Sequence, residues 1–318
     1  MANYIGIDIG GTTIKYGLLT SYGEFLHKSS IPTEVVEKGL PQFLEKLVTI
    51  IQAYQKSQAD AQKELLTKPV NISELEAWAA PIKGVGIATA GMVNPESGVI
   101  LFGSQTFPGY TGTNLKKTLE ERCDISCTVE NDVNAAALGE FWLGAGRGAR
   151  SLFCITVGTG IGGALIINGQ LIRGATFSAG EIGYTHIGEA ETFENLAATS
   201  ALVREVATAK NLDPHTVDGK KVFAWALKED EVAVQALDKM IERLAAGIAN
   251  VCYIVNPEMI ILGGGIMAQT KYIGPRLDAE LEKALLPIIY KGTKGVFAKL
   301  GNDAGMVGAV YNFMQAYK

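Results

Sequence analysis

Tyr4-Ile5-Gly6-Ile7-Asp8-Ile9-Gly10-Gly11-Thr12-Thr13-Ile14-Lys15-Tyr16-Gly17-Leu18-Leu19 is the stretch from which the architecture is read. Apolar residues alternate on both sides of a glycine pair, the pattern of two strands joined by a tight turn. Ser21-Tyr22-Gly23 supplies a second turn, and Glu24 to Lys28 a third strand. The same pattern returns at Leu152-Phe153-Cys154-Ile155-Thr156-Val157-Gly158-Thr159-Gly160-Ile161-Gly162-Gly163, with Asn168-Gly169 as the following hairpin turn. Asp8 then corresponds to Thr156 and Gly10 to Gly158. Two copies of a strand–glycine turn–strand unit point to a duplicated α/β architecture with a ligand between its halves.

Outward from these units, helical spacing runs over residues 40–54 through Leu40, Phe43, Leu44, Leu47, Val48 and Ile51. Residues 55–80 are polar and read as a surface insertion, with a short helix starting near Asn71 or Ser73. Val85 to Ala88 is a buried strand entering the turn Thr89-Ala90-Gly91. A long helix is predicted over 233–255, closed by Asn256-Pro257. Met259 to Leu262 is a strand meeting Gly263-Gly264-Gly265, and a last helix runs from Gly305 to Tyr317.

The 318 residues carry 28 Lys+Arg against 33 Asp+Glu, a net charge of −5, with 47% hydrophobic and 19% charged residues. That is ample material for a packed core and excludes a largely disordered chain. The mild acidity argues against a sequence-independent nucleic-acid binder. No apolar run approaches the roughly 20 residues that span a bilayer, and Met1-Ala2-Asn3-Tyr4 lacks a signal-peptide pattern. Cys123, Cys127, Cys154 and Cys252 are scattered in apolar contexts, as buried thiols of a cytoplasmic protein would be.

Gly158-x-Gly160-x-x-Gly163 matches a dinucleotide fingerprint in letters only. A strand and a hairpin follow it where a helix must open, which argues against a dehydrogenase. A glycine turn between strands can still hold phosphate, because backbone N–H groups approach closely where side chains are missing. Thr12, Thr13, Thr156 and Thr159 add hydroxyl donors. Asp8, ending the first strand beside such a turn, suits a Mg²⁺ held through water.

Thr128-Val129-Glu130-Asn131-Asp132-Val133-Asn134-Ala135-Ala136 reads as a strand entering a helix, with Asn131 or Asp132 near its N-cap. Asp132 is either a simple cap or a base that accepts the proton of an attacking hydroxyl. Glu181 lies among small residues that allow a ligand close, and Glu194 offers a second carboxylate for adjacent sugar hydroxyls.

With these parts in this order, the chain resembles the ROK family (repressors, open reading frames and sugar kinases). The resemblance runs through Asp8-Ile9-Gly10-Gly11-Thr12 with Lys15, then Gly86-Ile87-Ala88 with Gly91, and then Glu130-Asn131-Asp132. It continues through Gly158-Thr159-Gly160, Ala179-Gly180-Glu181-Ile182-Gly183, Gly263-Gly264-Gly265 and Asp303-Ala304-Gly305. It implies the actin-like, ribonuclease-H-like ATPase fold, with an N-terminal lobe over 1–119 joined by the helix 306–318 and a C-terminal lobe over 120–305. It also implies an ATP-dependent sugar kinase using Mg²⁺, and a homodimer by family habit. By that resemblance Asp8 serves the metal, Gly10, Gly11, Thr12, Thr13, Lys15, Thr156, Gly158, Thr159 and Gly160 hold ATP phosphates, and Gly263, Gly264 and Gly265 lie near the adenosine. Asp132 is the implied base, while Gly91, Asn131, Glu181 and Glu194 attend the sugar.

One departure is plain. Most members have His after Glu-Ile-Gly, followed by zinc-binding cysteines; here the residue is Tyr184, and no cysteine lies between Gly183 and Glu194. No zinc site is therefore expected. The Gly-Tyr pair is similar to a zinc-less subgroup that includes β-glucoside kinases, where an aromatic residue could stack on or make room for an aglycone. A repressor would carry a helix-turn-helix before the first strand, and the strand begins at Tyr4.

Overall fold

The computed structural model describes residues 2–67, 73–103, 107–188 and 190–318, so the candidate helix start at Asn71 lies outside the described residues. The chain divides into two compact units, one of Met1–Gly144 with Asn302–Lys318 and one of Ala145–Gly301.

The first unit contains β1 (Asn3–Ile9), β2 (Thr13–Thr20), β3 (Phe25–Pro32), α1 (Val35–Thr67), α2 (Ser73–Ala79), β4 (Ile82–Thr89), β5 (Met92–Asn94), β6 (Val99–Phe102), α3 (Leu115–Cys123), β7 (Cys127–Asn131) and α4 (Asp132–Trp142), together with a C-terminal helix (Ala304–Ala316). Its main sheet has the order β3-β2-β1-β4-β7. β1 is antiparallel to β2 and parallel to β4, and β4 is parallel to β7.

The second unit contains β8 (Leu152–Val157), β9 (Ile161–Ile167), β10 (Gln170–Ile172), α5 (Phe193–Ala197), α6 (Thr199–Ala209), α7 (Gly219–Ala226), α8 (Glu231–Val255), β11 (Met259–Gly263), α9 (Thr270–Ala284), α10 (Pro287–Gly292) and β12 (Lys294–Phe297). Its sheet, β10-β9-β8-β11-β12, repeats the first position for position and in strand sense. The duplication read from the two glycine turns thus extends through both sheets.

The period of two along β1 decides what each face carries. Ile5, Ile7 and Ile9 are fully buried and share a core with Phe43, Leu47 and Ile51 of α1. Gly6 and Asp8 alternate to the other face, where the C-terminal helix lies: a β-carbon on Gly6 would meet the Met306 carbonyl oxygen at 3.0 Å. That helix also crosses α4 at small residues. A β-carbon on Gly308 would lie 2.6 Å from the Ala135 carbonyl carbon and 2.7 Å from the Gly139 nitrogen, so only glycine permits this separation of the two backbones.

The boundary between units differs from the expected one at 119/120. Residues 120–144 belong with the first unit because β7 pairs with β4 from Val85↔Cys127 to Thr89↔Asn131, and α4 packs under the C-terminal helix. Three local readings also change. β3 extends to Pro32 through its ladder with β2, which pairs Thr13 with Pro32. Residues 55–67 continue α1, since Gln, Lys, Glu and Ala favour helix even without a strong apolar period. Tyr54 and Ala61 anchor that extension, and the Gln62 side-chain amide donates to the Ala79 carbonyl at 3.0 Å. The long helix α8 starts two residues earlier than read, capped by Asp230, whose carboxylate accepts from the Ala233 N–H at 3.0 Å. Among the described residues, no helix is long and apolar enough to cross a membrane.

Candidate active site

In the first unit, three strand ends meet the chemistry. Near the end of β1 stands Asp8, whose side chain is 14% exposed and receives Lys15 Nζ on Oδ2 at 3.1 Å. The pair is built by strand register, since Asp8 sits opposite Lys15 in the β1–β2 ladder. Burial pushes the Asp8 carboxyl above its ordinary value, and Lys15 pulls it back. A β-carbon on Gly305 would lie 2.8 Å from the Asp8 carboxyl carbon, so the first turn of the C-terminal helix abuts this carboxylate, where helix N–H groups favour negative charge.

The turn beyond Asp8 is closed by Gly10 N–H donating to Thr13 O at 3.0 Å, and Gly11 and Thr12 are exposed. Thr33 braces this turn twice: its N–H donates to Thr12 O at 3.0 Å, and its hydroxyl to Gly10 O at 2.7 Å. A lone carboxylate beside an exposed backbone turn fits a Mg²⁺ that retains most of its waters.

β7 ends on Asn131 and α4 begins on Asp132, and the structure separates their duties. Asn131 is the N-cap, its Oδ1 accepting from the N–H groups of Val133 (2.9 Å) and Asn134 (3.0 Å). Its Nδ2 donates to the Gly91 carbonyl and to Asp132 Oδ1, both at 3.0 Å. Asp132 is therefore not the cap; it stands in the first turn, its Oδ1 also accepting from Val133 N–H at 3.0 Å. Gly91, Asn131 and Asp132 thus form one cluster at the ends of β4 and β7.

Two supports under this cluster are absent from the sequence reading. The buried Glu130 accepts at Oε1 from Asn131 N–H (2.9 Å) and from the Asn134 amide (3.0 Å). Tyr110, fully buried, shares a 2.7 Å hydrogen bond with Thr89 Oγ1; burial holds its hydroxyl far above the usual phenol range, and the Asp132 charge adds to that. Glu130 was visible as a neighbour of Asn131, but nothing local in sequence marks Tyr110.

In the second unit the glycine turn joins two clusters. Gly158 N–H donates to Gly160 O at 2.9 Å, and the start of α6 grips the turn from one side: Thr199 N–H reaches Gly158 O at 2.9 Å, and Ser200 Oγ donates to Thr159 O at 2.6 Å. On the other side Ile161 N–H donates to Glu194 Oε2 at 2.9 Å. Glu194 stands in the first turn of α5, capped by Thr192. Burial raises the Glu181 carboxyl, and the Glu194 charge raises it further. Burial also raises the Tyr184 hydroxyl, with Glu181 and Glu194 contributing, although Tyr184 remains 60% exposed. The three side chains therefore occupy one electrostatic neighbourhood.

Beside the same turn opens a cavity of about 460 Å³, walled by Gly158, Thr159, Gly265 and Ser200 with the apolar faces of Val203 and Phe223. Its size and mixed lining suit a nucleoside. Thr156, Gly160, Gly263 and Gly264 do not border it. Gly263 pairs with Thr156 in the β11–β8 ladder, and Gly264 packs on the Val157 backbone; both carry Gly265 to the cavity edge. Ser200, Val203 and Phe223 were not read from the sequence, because a cavity wall built from two separate helices, α6 and α7, has no local signature.

Among the described residues no cluster of three or more His, Cys, Asp or Glu is arranged to hold a metal ion, and all four cysteines are free and buried.

The sequence model of the ROK family matches residues 4–316. The chain is 31% identical over 329 residues to a glucokinase of Halalkalibacterium halodurans, covering 96% of this chain and 93% of that one. It is 30% identical over 315 residues to a β-glucoside kinase of Listeria monocytogenes, covering 97% and 96%. A ROK family glucokinase from Streptomyces griseus, crystallised with glucose and AMPPNP, matches with a TM-score of 0.74 and 27% identity over 97% of this chain and 98% of that one. With its two sheets of identical order and these relatives along nearly its whole length, the chain has the actin-like ATPase fold and belongs to the ROK family.

Proposed function

We propose that this ATP-dependent carbohydrate kinase transfers the γ-phosphoryl group of ATP to O6 of a hexose or a β-glucoside. The observation that carries the reading is the Glu194–Ile161 hydrogen bond of 2.9 Å. It fastens a carboxylate pair suited to neighbouring hydroxyls directly onto the glycine turn that borders the nucleoside-sized cavity.

In this reading Phe223, Val203 and Gly265 take the adenosine, while the backbone of Gly158 to Gly160 and of Gly10 to Thr13 takes phosphate oxygens. Asp8 holds Mg²⁺ through water, and the metal when bound neutralises charge developing on the phosphates. Glu181, Glu194 and Asn131 hold the sugar hydroxyls. Asp132 accepts the proton of the attacking hydroxyl, its orientation fixed by Asn131 Nδ2 and Val133 N–H. Tyr184, exposed beside the two glutamates, is placed to meet a substituent at the far side of the sugar, which favours β-glucosides. A homodimer in the cytoplasm completes the reading.

The test is ADP release with MgATP and a panel of glucose, mannose, fructose, N-acetylhexosamines, cellobiose and aryl β-glucosides. Turnover of cellobiose and aryl β-glucosides supports the role of Tyr184. Good turnover of glucose with none of the β-glucosides removes that role and leaves a hexokinase. ADP release with no member of the panel overturns the kinase reading altogether.

A further inference from the structure

Helices α1 and α2 have no part in the site described above, yet with β2 and β3 they line a second cavity. α1 and α2 close against β2 and β3 around a space of about 530 Å³, larger than the cavity beside Gly158. Four rings surround it: Tyr16 from β2, His27 from β3, Tyr54 from α1 and Trp78 from α2. Tyr54 and Trp78 are stacked at 27° with centroids 6.5 Å apart, and Tyr16 stands edge-on to Tyr54 at 72° and 6.2 Å. His27 is tilted against both Tyr54 and Trp78.

Several polar groups of this wall are paired within the protein. His27 Nδ1 and Tyr54 Oη share a 2.8 Å hydrogen bond. Lys46 Nζ donates to Pro32 O at 2.8 Å, to Thr33 O at 3.1 Å and to Glu34 Oε2 at 2.6 Å. The hydroxyls of Thr49 and Ser57 donate to the carbonyls one helical turn earlier, Glu45 and Ala53. What the wall presents inward is therefore in large part ring surface. Aromatic surface facing water in such a space gains when a flat apolar body covers it.

We propose that this cavity is a second ligand site, separate from the kinase site, that takes a small molecule through a one- or two-ring aromatic group. α2 supplies Trp78 to complete it.

The probe is 1-anilinonaphthalene-8-sulfonate, titrated by fluorescence into the intact folded protein and into three variants. Ala53→Trp fills the cavity from an exposed helix position that lines it, so the fold is retained. Trp78→Ala removes a wall ring. Val203→Trp instead blocks the cavity beside Gly158. The expected result is saturable binding in the wild type that weakens by about tenfold or more in Ala53→Trp and in Trp78→Ala, and persists in Val203→Trp. Should Trp78→Ala fail to fold, Ala53→Trp alone decides. No saturable fluorescence in the wild type, or binding lost in Val203→Trp and untouched in Ala53→Trp, overturns the proposal. Both readouts are independent of turnover, so they stand or fall apart from the sugar-kinase assignment.

Discussion

Gly160→Ala isolates the link between the glycine turn and Glu194. A β-carbon at position 160 would sit 2.9 Å from Glu194 Cδ, about 0.5 Å inside ordinary contact, and closer still to Oε2. The obstacle is the tip of a flexible side chain, so Glu194 swings away and the backbone stays. That movement breaks the 2.9 Å bond from Ile161 N–H, in a residue only 3% exposed. Leaving a buried donor unpaired costs about 1–3 kcal/mol, and the entropy gained by replacing glycine returns about 0.4–1 kcal/mol where the backbone conformation is compatible. The net loss is about 0–2.6 kcal/mol, a fall of up to a few degrees in Tm. The assay is a double-mutant cycle with Glu194→Ala, followed by urea unfolding. With the carboxylate gone the new methyl has nothing to strike, so Gly160→Ala in that background should be neutral or slightly stabilising, giving a coupling of about 1–3 kcal/mol. Equal destabilisation in both backgrounds would show that the clash lies elsewhere and that Glu194 does not brace the turn. Under the proposed role of Glu194, the single variant should also raise the sugar KM by about tenfold.

Asp132→Asn retains an acceptor for Val133 N–H and should keep the fold and sugar binding while lowering kcat by about 10²–10⁴-fold; wild-type turnover in the purified variant would remove Asp132 from the role of base. Glu181 has its carboxyl raised above the ordinary 4.5 by burial and by Glu194, so it contributes stability only where it is protonated, below that value, and loses it as pH rises through the folded-state pKa. Glu181→Gln should therefore melt higher than the wild type at neutral pH without sugar, the gap closing toward pH 4; a constant gap across that range would show that charge is not the cause. Gly308→Ala sets a methyl against the Ala135 carbonyl carbon at 2.6 Å and the Gly139 nitrogen at 2.7 Å, both backbone, and should cost about 3 kcal/mol in urea unfolding.

What the sequence disclosed and what it withheld divide along a physical line. Features encoded by neighbours in the chain were legible: the β1–β2 turn at Gly10, the β9–β10 hairpin at Asn168-Gly169, the end of α8 at Asn256, and the Asn131–Asp132 pair at a helix start. Features made by distant segments were not. The true extent of β3 depends on its ladder with β2, and the placement of residues 120–144 depends on β7 pairing with β4. The helical continuation of α1 rests on Tyr54, Ala61 and the bond from Gln62 to Ala79, none of which gives a periodic apolar stripe.

The site shows the same division, and it bears on how substrate choice can change in this fold. Glu194 and Ile161 are 33 residues apart, yet one hydrogen bond makes the carboxylate a part of the glycine turn. Glu181 and Tyr184 hang on the short segment following Gly180; the Glu194 charge acts on both, and the Glu181 charge acts on Tyr184. The phosphate side is thereby anchored through α5 and α6, while the Tyr184 side chain itself is 60% exposed beside it. A Tyr184→His exchange should accordingly alter the ranking of sugars while leaving the KM for ATP within about twofold; a shift in ATP affinity as large as the shift in sugar preference would mean that the two sides are not separately built.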